Sequence, residues 1–289
     1  MKERMSEFVR RHSNVILLVI PVLFLLIFMV NPILSMFENS IVDDSGLTFS
    51  YFREILTTSV YWQILWNTIK LSFIVGIITI FLGYPVAYLM HKVGPVRKMI
   101  IMGCVQIPFW TSLLVRTYAW IAMLQNQGLV NYVLRKIGLI EEPIQLLYNQ
   151  TGVIITMTYI MLPYMIFSIS GVMDSIDSNI ITASISLGAS KTETFYKVFL
   201  PLTKSGILSG FFIVFLNTLG YYIVPTLVGG QKSQMFSQTI QNQLSGLLNW
   251  NSAAAMSIVL VLVTIMIIMT SKAITKSKYD AVKEGGDGI

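Results

Sequence analysis

Long apolar stretches, kept apart by every acidic side chain in the chain, constrain this fold more than any other feature. There are six, at residues 15–36, 67–90, 99–124, 152–172, 207–228 and 253–271, and all 14 Asp and Glu lie outside them. A helix rising about 1.5 Å per residue needs roughly 20 mainly apolar residues to cross the hydrocarbon core of a bilayer. Lipid offers the backbone no hydrogen-bond partners, so each crossing must satisfy itself as a helix. The expectation is an all-α membrane protein with six transmembrane helices, one transmembrane domain over residues 1–289. Composition agrees, at 12% charged residues against the quarter or so of a soluble domain.

Arg10, Arg11 and His12 precede the first stretch, as in a signal peptide. Its apolar run is too long for one and no small-residue cleavage site follows, so a retained helix is expected. Of the 20 Lys and Arg, 14 flank the stretches on one side: the N-terminal tail, the loops after spans 2 and 4, and the C-terminal tail. Four (Arg53, Arg135, Lys136 and Lys232) flank the other side, and Lys70 and Arg116 fall inside spans. That asymmetry predicts a multi-pass protein with both termini cytoplasmic, ending in a disordered tail over about 280–289. Basic residues at span ends are topology determinants, and no nucleic-acid footprint is expected. Cys104 is the only cysteine and reads as a small buried hydrophobe; His12 and His91 have no ligand cluster around them, so no metal site is expected.

The loop over 173–204, between spans 4 and 5, carries the most information. Ile176, Ile180, Ala183, Ser184 and Leu187 recur at helical spacing. Gly188 supplies a left-handed or tight-turn position that ends a helix. Ser190 and Glu193 form an S-x-x-E capping box, opening a second helix with Phe195, Val198 and Phe199 on one face and an expected stop at Leu200-Pro201. The pattern specifies helix, turn and helix at the membrane surface.

Ile176-Asp177, Ala183, Leu187-Gly188-Ala189-Ser190, Phe195 and Leu200-Pro201-Leu202 resemble the EAA loop of permease subunits of bacterial ABC importers. The resemblance implies a cytoplasmic coupling helix docking an ATP-binding subunit through Asp177, Thr182, Ala183, Leu187, Gly188, Ala189, Ser190, Phe195, Leu200 and Pro201. It departs from the pattern at Thr182, where the family has its leading glutamate, and at Ser184, where it has a second alanine.

Pro108-Phe109-Trp110-Thr111 with Arg116 and Tyr118, then Gly138-Leu139-Ile140 with Pro143-Ile144-Gln145, then Leu227-Val228-Gly229-Gly230 resemble one branch, the spermidine/putrescine-type permeases and their relatives for phosphonates and opines. The branch implies two ATP-binding subunits, a second homologous permease, a soluble or lipid-anchored solute-binding protein, and location in the bacterial inner membrane. It implies no cofactor on this chain, with ATP and Mg on the partners. The solute it implies is a polyamine; a phosphonate, opine or other small organic solute is the alternative.

Candidate pathway residues follow from polarity inside apolar spans. Arg116 is expensive in lipid and functional by default, or else snorkels to the outer interface. Asn217, Tyr221 and Tyr222 in span 5 either line a path or join helices, and Phe109 and Trp110 either gate it or pack. Gly206 and Gly210 allow close helix contact, and Pro163, Pro201 and Pro225 are candidate bends. A polyamine path would offer a cation carboxylates or aromatic faces, and these spans hold only the aromatics. A self-contained channel or secondary transporter lacks support, because no intramembrane acid is present to relay protons. No H-E-x-x-H, G-x-S-x-G or phosphate-binding loop points to an enzyme.

Overall fold

The computed structural model describes the backbone of residues 2–43 and 46–286, and side chains over 18–43 (except 20) and 46–271. In chain order the helices are α1 (Lys2–Ile41), α2 (Ser50–Thr57), α3 (Ser59–Lys92), α4 (Pro95–Gln106), α5 (Leu113–Leu124), α6 (Leu129–Lys136) and α7 (Gln150–Asp174). They continue with α8 (Ser178–Ser186), α9 (Lys191–Thr194), α10 (Leu200–Leu202), α11 (Lys204–Gly220), α12 (Ile223–Val228), α13 (Phe236–Ser245) and α14 (Trp250–Gly286). One two-residue antiparallel pairing, Val42–Asp43 with Gly46–Leu47, follows α1.

Among the described residues four helices are long and apolar enough to cross a membrane: Pro21–Ile41 within α1, then α3, α7, and Trp250–Ser271 within α14. Two further segments qualify only as bent pairs, Pro95–Trp110 with Leu113–Lys136 at 98° and Lys191–Leu202 with Lys204–Gly220 at 52°. The expected spans 67–90 and 152–172 therefore lie inside α3 and α7, whereas the expected span 99–124 is not one helix. Pro108 has no N–H to return to the carbonyl four residues back. The chain tightens into a 3₁₀ turn at Ile107–Trp110, and Thr111 closes it with N–H and hydroxyl both donating to Pro108 O (3.3 and 2.8 Å).

Span 207–228 is likewise interrupted: α11 stops at Gly220, and Tyr221 turns extended before α12 begins. Pro225 cannot donate to Tyr221 O, and the Ser237 hydroxyl satisfies that carbonyl at 2.7 Å.

The sequence reads as one domain; the packing falls into two compact units, residues 59–241 and residues 1–58 with 242–289. In the first, α3, α7 and α11 pack on one another around Leu71, Val75, Met157, Met161, Met165, Ile169 and Val214. Gly206 and Gly210 let α11 approach α7: a Cβ on Gly210 would meet Met165 Sδ at 2.7 Å, and one on Gly206 would meet Val172 at 3.0 Å. In the second unit α1 packs against α14, and α14 against α2. The expected disordered tail, and the basic residues of both termini, fall outside the described side chains. Cys104 is exposed rather than buried, because α4 buries none of its residues.

Candidate functional site

The loop between α7 and α11 folds as helix, turn and helix. Asp177 caps α8, its carboxylate accepting from Asn179 N at 2.9 Å and satisfying a donor of the first turn. Gly188 sits at φ +91°, a conformation only glycine adopts freely, and a Cβ there would meet nothing of this chain. The capping box forms: Ser190 N donates to Glu193 Oε2 (3.1 Å) and Glu193 N to Ser190 Oγ (3.2 Å). Lys197 adds an ion pair to Glu193 at 3.2 Å. The Ser190 backbone N–H first, then the Lys197 and Ser190 side chains, hold the Glu193 carboxyl below its usual value.

Two details correct the sequence reading. The second helix does not stop at Leu200-Pro201. Residues Phe195–Phe199 widen into a π-turn, with Leu200 N donating to Phe195 O, and α10 carries on through Pro201 to Leu202. The widened turn moves the preceding carbonyls off the proline ring, so the helix bulges instead of breaking. The second detail is the apolar stripe of α8, which divides between two sides. Ile176, Ile181 and Ser184 turn inward, half-buried, and Ser184 Oγ meets Thr194 Oγ1 at 3.1 Å. Ile180, Thr182, Ala183 and Leu187 face outward, Leu187 being 89% exposed. Thr182 Oγ1 donates to Ser178 O of its own helix at 3.1 Å.

Phe195 and Phe199 fasten the loop to the end of α3 through Tyr84 and Tyr88, two rings that sequence reasoning did not single out. Phe195 packs edge-on against Tyr84 and Tyr88 at 6.3 and 5.3 Å, and Phe199 against Tyr88 at 5.4 Å. The Tyr84 and Thr203 hydroxyls lie 3.3 Å apart. The available signal was the i, i+4 spacing of Tyr84 and Tyr88, which puts both on one helix face. Ala189 and Leu200 are half-buried, and Pro201 is exposed.

The two interrupted helices supply the second cluster. Arg116, fourth residue of α5, follows the break at Thr111-Ser112, and Tyr221 is the break between α11 and α12. Tyr221 lies within electrostatic reach of Arg116 and of Tyr164 on α7. Phe109 stacks edge-on against Tyr164 at 5.0 Å and contacts Phe167 at 6.1 Å. The structure thus pairs Phe109 with Tyr164, which looked like any other aromatic of an apolar span, and leaves Tyr221 within electrostatic range of both Tyr164 and Arg116. Among the described residues no ring contact or hydrogen bond joins the other three candidates to these side chains. Trp110 is 89% exposed, Tyr222 is exposed, and Asn217 returns its amide to Ile213 O at 2.8 Å. The Arg116 Nε is buried with no hydrogen-bond partner.

The two remaining sequence segments brace the connection between α5 and α7. Gly138 (φ +73°) ends α6, and the buried Asn131 side chain clasps Ile144, accepting from its N–H and donating to its carbonyl at 2.9 Å each. Gly230 lets Tyr148 O approach to within 2.1 Å of where a Cβ would stand, while Tyr148 N bonds Val228 O at 2.8 Å.

Residues 79–276 match the family described as binding-protein-dependent transport system inner membrane component. The chain belongs to that family. It is similar to the spermidine/putrescine transport system permease protein PotB of Haemophilus influenzae, 33% identical over 74% of each chain. The Escherichia coli K12 PotB is 31% identical, over 72% of this chain and 76% of that one. In fold the permease resembles a chain of a bacterial ABC transporter that imports alginate, with TM-score 0.73 at 16% identity over 95% of this chain and 99% of that one. It also resembles a chain of the MetNI methionine ABC transporter, with TM-score 0.56 at 17% identity over 76% and 98%. The protein is a permease subunit of an ABC importer, a transport subunit and not the enzyme that hydrolyses ATP.

Proposed function

We propose that this permease carries a polyamine of the spermidine/putrescine class inward, as half of a pathway completed by a second homologous permease. The observation that carries the solute is the 33% identity to a spermidine/putrescine permease along 74% of the chain. The rings of Phe109, Tyr164 and Tyr221 support it, because aromatic faces attract ammonium groups. Two ATP-binding subunits, holding ATP and Mg, dock on the outward side of α8, and a binding protein delivers solute from the far side. Both termini are cytoplasmic on this reading. Support for the docking side comes from the exposed Ile180, Ala183 and Leu187 on a helix whose other side meets α9 and the Phe195–Phe199 turn.

The test is ATP-dependent uptake of radiolabelled spermidine and putrescine by proteoliposomes containing the whole complex. Saturable uptake competed by either amine is expected; uptake of neither, in a complex whose ATPase is active, ends the polyamine assignment. Gly188→Leu is expected to lower uptake at least about tenfold while the subunits still co-purify, because φ +91° disfavours any side chain. Unchanged uptake removes the coupling role of the turn. An anionic solute such as a phosphonate is the second reading, favoured by the cation of Arg116 in the cluster, and competition by alkylphosphonate in the same assay distinguishes it.

A further inference from the structure

Resting on the importer reading above, we propose that Arg116 is the electrostatic seal of the permease, a fixed cation that stops protons, inorganic cations and returning solute from leaking through the resting pathway.

An importer that opens to each side in turn must still be tight between turnovers. Its aromatic cluster works against tightness, since Phe109, Tyr164 and Tyr221 present faces that attract any cation. A fixed positive charge within electrostatic range of them opposes unassisted cation entry while the pathway rests, as fixed arginines and helix N-termini do where pores exclude cations. Arg116 meets the requirements. It stands one turn into α5, just past the 98° break, with its N–H bonded to Ser112 O at 3.1 Å. Its Nε is buried without a partner, and among the described residues it forms no ion pair. All 14 acids of the chain lie outside the apolar stretches, so no carboxylate of this subunit's spans neutralises it. An arginine serving only to join helices would be expected to donate to carbonyls or pair with an acid, and the buried Nε does neither. The positive end of the α5 dipole adds a field of the same sign.

The experiment reads passive K⁺ and proton flux, without ATP, in proteoliposomes holding the complete complex. Arg116→Gln is expected to raise leak about tenfold or more, while Arg116→Lys stays as tight as the wild type. Arg116→His carries the comparison within a single folded protein: leak should rise as pH climbs through the imidazole titration, with the wild type flat over that range. ATP-driven spermidine uptake on the same vesicles is a separate readout. A wild-type complex that takes up no spermidine ends the polyamine reading and leaves the leak comparison intact. Equal leak in wild type and Gln, or in Lys and Gln, or a His variant indifferent to pH, overturns the seal. A Gln variant that stays tight but loses uptake assigns the arginine to solute binding and overturns it too.

Discussion

Pro163 and Pro108 both sit inside apolar stretches of similar length, yet one helix continues unbroken and the other turns by 98°. Each proline removes a hydrogen bond and costs a helix about 3 kcal/mol in isolation. Around Pro163, α7 is held on two sides by α3 and α11, and the proline itself is buried. Packing supplies what the lost bond does not. Around Pro108, α4 buries no residue at all, and Thr111 offers the freed backbone an alternative bond. Pro225 and Pro201 give two more outcomes, a break capped by Ser237 and a π-turn. Proline marks where a helix can yield; its neighbours decide whether it does.

That contrast can be broken from the packed side. Gly210→Leu places a side chain where Met165 and Ser168 already stand, so α11 must lift from α7, and a loss of about 3 kcal/mol or more is expected. Thermal unfolding of the purified complex in detergent checks it, and an unchanged midpoint would mean that α7 is held by something other than this contact. Sharpening it from the broken side, Ser237→Ala leaves the Tyr221 carbonyl without its donor. Destabilisation of about 1–2 kcal/mol is expected, with faster amide exchange at the start of α12. The smallest effect belongs to Pro163→Ala. The recovered hydrogen bond roughly offsets the lost ring contacts, so stability should shift by less than about 1 kcal/mol with uptake retained. A large gain would show that the proline strains α7 after all.

The same contrast explains which features the sequence displayed. Spans 67–90 and 152–172 were legible because their apolar length calls for a helix in lipid and mutual packing keeps both helices continuous. Gly188 and the Ser190–Glu193 box were legible because their chemistry is local: a left-handed residue and a side chain reaching three positions along. The breaks at Thr111 and Tyr221 were not, since they depend on what packs alongside. The inward side of α8 was hidden for a related reason. Isoleucine stands at 180, 181 and 185, so a nine-residue helix has apolar residues on more than one side, and periodicity cannot choose between them. Tyr164 went unnoticed because aromatics are ordinary in an apolar span, and its meaning comes from Phe109 and Tyr221, far away along the chain.

The outward side of α8 also bears on how the protein can be handled. Ile180, Ala183 and Leu187 stand exposed along one side of α8 and its C-cap, where no described element of this chain covers them. Monomeric proteins keep such contiguous apolar surface small. A subunit made in excess of its partners would therefore bring a sticky patch to every encounter, inviting self-association or proteolysis. Balanced co-expression, more than any choice of detergent, is the condition under which this chain should purify as one species.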